Sequence, residues 1–399
     1  MSQKEVSPTT LRIRFGNVVK NMLVLLISLI VVLGICEIIL RVYNPLGFRI
    51  KGDKIILPVN KTEIIHHQGS GKLDPVVVHR SNSLGFRGPE PPGNFAGWLT
   101  IITVGGSTTE CYDLPEDQTW PQQLEDRLRH GFKNTWVNNA GFCGYSTFGN
   151  IILVQDFLVK LHPKVLIFLV GINDLGVSAA REYDTRLKTL NFRSLERMLA
   201  SLANYSELAA ASLNIYRYYF PKSVMAVAAR DMGEIDLKSY NNLEVTSDRQ
   251  QAIKQLHREK YLTPFAERVQ ALIALSRAHG MEPVFLTQPV LYGPEVDGPT
   301  GINLATIRVT PDMNGEVGWE VLELYNDAVR QRGREAGVLV IDLAREMPKD
   351  SAYYYDLMHY TKAGAALVAD IVAAQLTPFL AQKFPAYYQG TNAPQAVVP

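Results

Sequence analysis

The stretch LTIITVGGSTTE, residues 99–110, decides how this chain folds. Its first six residues are apolar or β-branched without polar alternation, which is typical of a strand buried on both faces of a parallel sheet. The two glycines that follow allow a sharp turn with unusual φ/ψ. In open α/β sheets, ligands bind just outside the carboxyl ends of the strands. Ser107 therefore stands where chemistry occurs, although a serine that only caps a helix fits the same letters.

The alternation of strands and helices continues through the rest of the chain. Further buried strands are predicted at 135–141, 164–171, 282–289 and 338–344. Helices are predicted at 119–131, 146–160, 263–279 and 319–335, and the loop that starts at 353 runs into a last helix ending at 376. This order predicts an α/β fold with a parallel central sheet and helices on both faces.

The composition excludes several classes of protein. The chain has 399 residues, 47% of them hydrophobic and 20% charged, and a formal net charge of +1, so no global basic field points to nucleic acid. The three cysteines lie far apart, which excludes a zinc site built on close cysteine spacing. No P-loop and no G-x-G-x-x-G motif occurs. The sequence implies neither a metal nor an organic cofactor.

The amino terminus differs from the rest of the chain. Residues 18–40, VVKNMLVLLISLIVVLGICEIIL, are long and apolar enough to span a bilayer as a helix. Basic residues before this span predict a cytoplasmic amino terminus at 1–17, although basic residues also follow the span. No small-x-small cleavage site follows, so we expect an uncleaved anchor with the remaining chain outside the cytoplasm. A buried helix of a soluble domain is the alternative.

The body divides by composition into three further segments. Residues 41–98 are rich in Gly, Pro and short apolar runs and are predicted to be a linker and amino-terminal extension. The main domain is predicted at 99–380 with a mostly helical insertion at about 176–260, and 381–399 as a disordered tail. The apolar, aromatic part of the insertion, 195–220, is a lid, a surface that leans on the membrane, or an extra packed helical layer, which we favour.

Four polar groups follow predicted strands. They are Ser107, the loop NNAGFCGYST (138–147) with Gly144, the turn GIND (171–174) with Asn173, and DLMH (356–359). Because the carboxyl ends of parallel strands lie at one edge of a sheet, we expect these groups to converge.

Their chemistry is that of acyl transfer. A serine hydroxyl needs an adjacent base, which His359 supplies, and Asp356 holds the other imidazole nitrogen. Backbone N–H groups of Ser107 and Gly144 and the side-chain amide of Asn173 are suitable donors to the oxyanion. The G-x-S-x-G elbow of the α/β-hydrolases is absent, since Gly105, Gly106, Ser107, Thr108 and Thr109 stand there instead.

The four blocks resemble the SGNH (GDSL-type) hydrolases, which are named after Ser, Gly, Asn and His, although Gly106 replaces the usual acidic residue. The resemblance implies a flavodoxin-like, three-layer α/β/α sandwich and hydrolysis of a carboxylic ester, either an O-acetyl group on a glycan or an acyl lipid. The stretch NSLGFRG, residues 82–88, is similar to membrane-anchored bacterial members, which implies a catalytic domain facing the periplasm or cell surface.

Two alternatives remain open at this point. The same site transfers an acyl group to a cell-surface polysaccharide, or the chain is a catalytically weak component of an envelope assembly. The presence of all five functional residues argues against the second alternative. The partners that the sequence implies are a small-molecule, glycan or lipid ester substrate and the membrane, with no nucleic acid and no particular protein.

Several other residues have a structural interpretation. We expect Asp174 to order its loop, Asp342 to anchor a loop, and Thr361 to cap the last helix. Gln288 and Tyr292 follow a strand end and are candidates for lining the substrate pocket.

Histidines and cysteines outside the four blocks complete the prediction. His66, His67 and His79 precede the first sheet strand and are predicted not to be catalytic. Cys111 and Cys143 lie in loops that must approach Ser107, which raises the hypothesis that they are close enough for a disulfide; two small buried apolar side chains are the alternative.

Overall fold

The computed structural model describes residues 8–43, 50–51, 54–67, 71–178, 201–219 and 234–390. These residues belong to two compact units. The helical unit comprises Met1–Ile56 and Leu187–Lys222, and the sheet unit comprises Leu57–Arg186 and Ser223–Pro399.

Two antiparallel hairpins precede the central sheet. Strands β1 (Ile50–Lys51) and β2 (Lys54–Ile55) pair in the helical unit. Strands β3 (Thr62–His66) and β4 (Val76–Arg80) pair in the sheet unit, with Ile64 opposite Val78. The predicted extension at 41–98 therefore contains regular structure, and from Leu57 onward it belongs to the same unit as the sheet.

The sheet unit is built on five parallel strands in the order β6-β5-β7-β8-β9. Their bounds are β5 Leu99–Gly105, β6 Thr135–Gly141, β7 Val165–Leu169, β8 Glu282–Leu286 and β9 Leu339–Ile341. Every residue of β5, β6 and β7 is buried, as expected for apolar strands covered on both faces. The predicted α/β fold with a parallel central sheet is confirmed.

The helices of the sheet unit follow the predicted positions closely. Their bounds are Ser107–Glu110, Trp120–Arg129, Thr147–Leu153, Val159–Leu161, Ser247–Leu256, Thr263–Ala278, Gly315–Ala336, Leu343–Glu346 and Lys362–Lys383. π-helical turns at Val154–Leu158 and His257–Leu262 interrupt two of the helical stretches. Thr119 caps the helix Trp120–Arg129 by accepting from the Gln122 N–H, and Trp120, Leu124 and Leu128 form its buried face.

The strand order creates one crevice. From β5 the chain goes outward to β6 and then returns across to β7, so β5 and β7 are neighbours whose connections leave in opposite directions. Such a switch point opens a gap beyond the carboxyl ends of the two strands. Ser107 follows β5 and Asn173 follows β7, so both flank this gap.

The helical unit contains a helix at Pro8–Val42 and a second helix at Glu207–Tyr219. The stretch Asn17–Val42 is 26 residues long with a mean hydropathy of 3.1, and none of its most apolar window is buried, so it is long and apolar enough to cross a membrane. The helix Lys362–Lys383 also passes on length and composition, but Val368, Val372 and other side chains of it lie in the hydrophobic core of the sheet unit.

The carboxyl-terminal tail is shorter than predicted. The last helix continues to Lys383, and the Lys133 N–H donates to the Tyr387 carbonyl while the Gln389 N–H donates to that of Gly131. The Tyr388 ring also packs against Phe132. These contacts order 384–390, where we predicted disorder, and the remainder of the predicted tail, 391–399, lies outside the described residues.

Only parts of the predicted insertion at 176–260 are described. Helices at Glu207–Tyr219 and Ser247–Leu256 agree with the predicted helical content. Residues 179–200 and 220–233, which include part of the apolar stretch 195–220, lie outside the described residues.

Candidate active site

Ser107, His359 and Asp356 meet at the carboxyl edge of the sheet. The Ser107 Oγ lies 2.7 Å from the His359 Nε2, and the His359 Nδ1 lies 2.5 Å from the Asp356 Oδ2. The other carboxylate oxygen of Asp356 accepts from the backbone N–H groups of Met358 at 2.8 Å and His359 at 2.7 Å. These bonds hold the carboxylate in one orientation toward the imidazole.

The surroundings of His359 favour its charged form. Burial by itself lowers the pKa of His359, but the negative charge of Asp356 and its hydrogen bond outweigh burial, and the pKa is raised above its usual range. Asp113 and Glu110 add smaller contributions in the same direction. The Tyr355 ring stacks on the imidazole with 12° between the planes and fixes its tilt.

The two glycines before Ser107 are required by close approach. Gly106 has extended backbone angles, φ −91° and ψ −151°, so the conformational freedom of glycine is not what this position uses. A Cβ on Gly105 would lie 2.6 Å from the Leu169 carbonyl oxygen, and a Cβ on Gly106 would lie 2.3 Å from the Asn173 Nδ2. The glycines thus let β7 and the Asn173 amide come up against the backbone that carries Ser107.

Asn173 and Gly144 lie in the loops that follow β7 and β6. The Asn173 Nδ2 donates to the Tyr145 carbonyl at 3.0 Å, and its amide has a second N–H. Gly144 has φ +78°, a conformation that side chains other than glycine rarely adopt. The Glu110 carboxylate accepts from the Cys143 N–H and so holds the residue before Gly144 next to the helix of Ser107.

Buried polar side chains brace the turn after Ser107. The Trp120 Nε1 donates to the Thr108 carbonyl at 3.0 Å. Arg87 is buried and donates to the carbonyls of Glu110 and Leu114, among others, and its Nε lies 2.8 Å from the Glu116 carboxylate. Arg87 is not among the predicted site residues, because the stretch around it shows only turn chemistry. The signal that could have identified Arg87 is its position between two glycines, Gly85 and Gly88, in this turn-rich stretch.

The residues predicted to be structural have structural contacts. Asp174 is buried and accepts from Thr147 and Arg268, which ties the loop after β7 to two helices. Asp342 accepts from Thr287 at 2.9 Å and pairs with Arg330.

Three further predicted residues lie around the site. Thr361 caps the last helix by accepting from the Gly364 N–H at 3.1 Å. Gln288 is buried and accepts from the Thr108 hydroxyl at 3.2 Å, beneath the residue that follows Ser107. Tyr292 is buried against Gly318. A place for Gln288 and Tyr292 in the substrate pocket stays a prediction.

The expected disulfide is absent from the structure, in which Cys111 and Cys143 are both thiols. The Cys111 Sγ points back at the Thr108 carbonyl, 3.6 Å away, and burial raises the pKa of this thiol to about 12. Cys111 has φ +50° and ends the short helix that begins at Ser107.

A second histidine–carboxylate pair lies beside the first. The His67 Nε2 lies 2.9 Å from the Asp113 Oδ1, and its Nδ1 lies 2.8 Å from the Asp74 carbonyl oxygen. The other Asp113 oxygen accepts from the Tyr355 hydroxyl at 2.8 Å. Tyr355 therefore joins this pair to His359, on which its ring stacks. This connection was not predicted, because the three partners lie far apart in the sequence.

Among the side chains that the structure describes, no group of three or more His, Cys, Asp or Glu residues is arranged to hold a metal ion.

Comparison with known proteins identifies a family model that this chain matches. The model of the GDSL-like Lipase/Acylhydrolase family matches residues 103–367. No curated protein matches the chain.

Solved structures similar to this chain include several esterases. The α/β hydrolase LAE5 from the metagenome of Lake Arreo, Spain, has a TM-score of 0.39 at 12% identity, covering 70% of this chain and 96% of its own. Axe2, an acetylxylan esterase from Geobacillus stearothermophilus, has a TM-score of 0.38 at 12% identity, with 69% and 93% covered. The acetyl xylan esterase AlAXEase has a TM-score of 0.39 at 12% identity, with 69% and 98% covered.

Proposed function

Because this chain belongs to the GDSL-like lipase/acylhydrolase family and is an ester-hydrolysing serine hydrolase, we propose that Ser107, His359 and Asp356 cleave a carboxylic ester by a covalent mechanism. The observation that carries the proposal is the chain of contacts from the Ser107 hydroxyl through His359 to Asp356, at 2.7 Å and 2.5 Å. Each distance is within reach of direct proton transfer or a charge-assisted hydrogen bond.

The reaction has two halves. The His359 Nε2 takes the proton as the Ser107 Oγ attacks the ester carbonyl, and it returns the proton to the leaving alcohol when the tetrahedral intermediate collapses. Water then attacks the acyl-enzyme with His359 again acting as base, which releases the acid and restores the Ser107 hydroxyl. Asp356 stays ionised, orients the imidazole and stabilises its charged form.

Three donors stabilise the oxyanion in this proposal. They are the backbone N–H groups of Ser107 and Gly144 and the second N–H of the Asn173 amide. Their support is the place of Asn173 against Gly106 and the bond from the Cys143 N–H to Glu110, which ties the residue before Gly144 to the helix that begins at Ser107. Donors that are fixed by the fold before the reaction stabilise the developing charge without reorganisation, which is the role proposed for these three groups.

The setting of the reaction is also part of the proposal. The apolar helix within Asn17–Val42 anchors the chain in a bacterial inner membrane, and the catalytic domain faces the periplasm or cell surface. Substrates of the proposed class are O-acetyl groups on a glycan or acyl lipids. No metal or organic cofactor takes part in the proposed steps.

The test uses the full chain in detergent beside the variants Ser107→Ala and Ser83→Ala. Ser83 is an exposed serine of the same unit and serves as the matched control. We expect hydrolysis of nitrophenyl acetate and covalent labelling by a fluorophosphonate in the parent and in Ser83→Ala. We expect Ser107→Ala to lose labelling and about 10⁶-fold in kcat.

Other outcomes separate the alternatives. A folded parent that neither hydrolyses esters nor takes up the label contradicts the proposal and favours the assembly component. Transfer of acetyl from the nitrophenyl ester to an added oligosaccharide, faster than release of free acetate, favours the acyltransferase. The preference between nitrophenyl acetate and a long-chain nitrophenyl ester separates acetyl from lipid substrates.

A further inference from the structure

The apolar helix of the helical unit carries one acidic side chain near its carboxyl-terminal end. Glu37 is only partly exposed, and a carboxylate in the hydrocarbon of a bilayer is costly unless it has partners. Its partners come from the second helix of the same unit. Glu37 accepts from the Ser206 hydroxyl at 2.8 Å and from the backbone N–H groups of Glu207 at 3.1 Å and Leu208 at 3.0 Å.

These contacts complete the amino-terminal end of the helix Glu207–Tyr219. The first four N–H groups of a helix have no partner within it. Here the Ser206 N–H donates to the Leu202 carbonyl, those of Glu207 and Leu208 donate to Glu37, and that of Ala209 donates to the Ser206 hydroxyl oxygen. The first bond of the helix itself runs from the Ala210 N–H to the Ser206 carbonyl. A carboxylate from another element therefore supplies half of the cap, and it also opposes the positive end of the helix dipole.

Basic side chains strengthen the same junction. The Arg41 guanidinium contacts Glu37 at 2.7 Å and also donates to the Tyr205 carbonyl at 2.7 Å. Lys51 pairs with Glu207. The second helix is thus bound at its first turn to the end of the apolar helix through charge-assisted bonds.

The surface beside this junction is apolar and exposed. Leu202 is 56% exposed, Tyr205 is 77% exposed and Ile215 is 46% exposed. The apolar helix is itself exposed, and the segment that carries these side chains is bound near its end through Glu37 and Arg41. Tyrosine is typical of the boundary between hydrocarbon and water.

We infer that Glu37 docks the first turn of the helix Glu207–Tyr219 at the water-facing end of the membrane anchor, and that Leu202, Tyr205 and Ile215 enter the headgroup region of the bilayer. The partner of this surface is the lipid bilayer, because the segment that carries it is bound near the end of the helix that is long and apolar enough to span one. The inference rests on the anchor of the proposed function, and it assigns part of the insertion to the membrane surface.

The test reconstitutes the full chain in phosphatidylcholine vesicles that contain a photoactivatable diazirine phosphatidylcholine. Crosslinked peptides are identified by mass spectrometry, and amide exchange is measured on the same vesicles. We expect lipid crosslinks in the anchor, residues 17–36, and in the segment 201–215. In Glu37→Ala we expect the anchor crosslinks to remain, those in 201–215 to be lost, and the amides of 207–209 to exchange about fivefold faster.

The controls distinguish failure of this inference from failure of the proposed membrane anchor. Glu267→Ala removes an exposed carboxylate of the sheet unit and leaves both sets of crosslinks unchanged. Unchanged turnover of nitrophenyl acetate in Glu37→Ala shows that the sheet unit is folded. Anchor crosslinks without crosslinks in 201–215 overturn the inference and leave the anchor standing. No crosslink anywhere overturns both, and crosslinks that Glu37→Ala does not change overturn the role of Glu37.

Discussion

Two histidine–carboxylate pairs lie side by side in the sheet unit. They differ in the group that contacts the ring nitrogen not bound to the carboxylate. His359 has Asp356 on its Nδ1 and the Ser107 hydroxyl on its Nε2. His67 has Asp113 on its Nε2 and the Asp74 carbonyl on its Nδ1. A carbonyl only accepts, whereas a hydroxyl also donates. His67 therefore satisfies both neighbours only as the imidazolium, while His359 keeps both bonds when it is neutral.

A histidine–carboxylate pair acts as a catalytic base when a hydroxyl donates to the second ring nitrogen of the histidine. Both histidines have a raised pKa, so a raised pKa does not distinguish them. What distinguishes His359 is the hydroxyl on its second nitrogen at a strand end. By this criterion His67 is a structural cation, in agreement with its predicted lack of a catalytic role.

The largest expected difference concerns the two carboxylates. We expect Asp356→Asn to lower kcat/KM by about 10⁴-fold, because the amide favours the wrong imidazole tautomer. The matched change Asp113→Asn leaves the His359 contacts in place and costs less than about tenfold. Steady-state kinetics with nitrophenyl acetate checks both values, and similar losses in the two variants would remove the distinction between the pairs.

The second-largest expected effect concerns the proposed oxyanion donors, which accompany the His359 pair and not the His67 pair. Asn173→Ala removes one proposed oxyanion donor, so we expect kcat to fall about 10²–10³-fold. Asn94→Ala, at an exposed asparagine of the same unit, is the control and leaves kcat unchanged. A loss that appears in KM alone would assign Asn173 to substrate binding.

A smaller expected effect arises because the charge of Asp113, in the second pair, influences the pKa of His359 in the first. The base must be neutral, so kcat/KM falls as the pH drops through the pKa of His359, which lies above the usual value of about 6.5. Asp113 contributes to this raised pKa, so in Asp113→Asn the acid limb of the pH profile moves to lower pH. A limb that stays in place would contradict a contribution of the Asp113 charge to the pKa of His359.

The smallest effect is on stability. Burial lowers the pKa of His67, but the bonds to Asp74 and the charge of Asp113 outweigh burial and raise it. A raised folded pKa stabilises the protein fully below the unfolded value of about 6.5, and the gain disappears as pH rises through the folded pKa. The Tm of His67→Gln therefore falls below that of the parent at pH 5.5 (about one unit under the ordinary histidine pKa) and converges with it at alkaline pH. A constant difference across pH would contradict this stabilising role of the His67 charge.

Much of the fold was predictable from local patterns. The apolar runs predicted β5 and β7, and the alternation of strands with helices placed β6, all to within about three residues at each end, the usual precision of boundaries read from sequence. The convergence of Ser107, Asn173 and His359 followed from strand direction, because parallel strands end at one edge. What local patterns did not predict was the packing of the tail at 384–390, which depends on partners such as Phe132.

Local sequence is enough to establish the strands, the edge at which the polar groups gather, and the pairing of Asp356 with His359, since three residues in one loop place them side by side. Folding in three dimensions was needed to reveal the reason for Gly105 and Gly106, the thiol state of Cys111, and the second pair built by His67 and Asp113. The physical reason is the sequence separation over which each feature is determined. Hydrophobic period and chain direction are local properties, whereas a contact such as that of His67 with Asp113 exists only after two distant segments have packed.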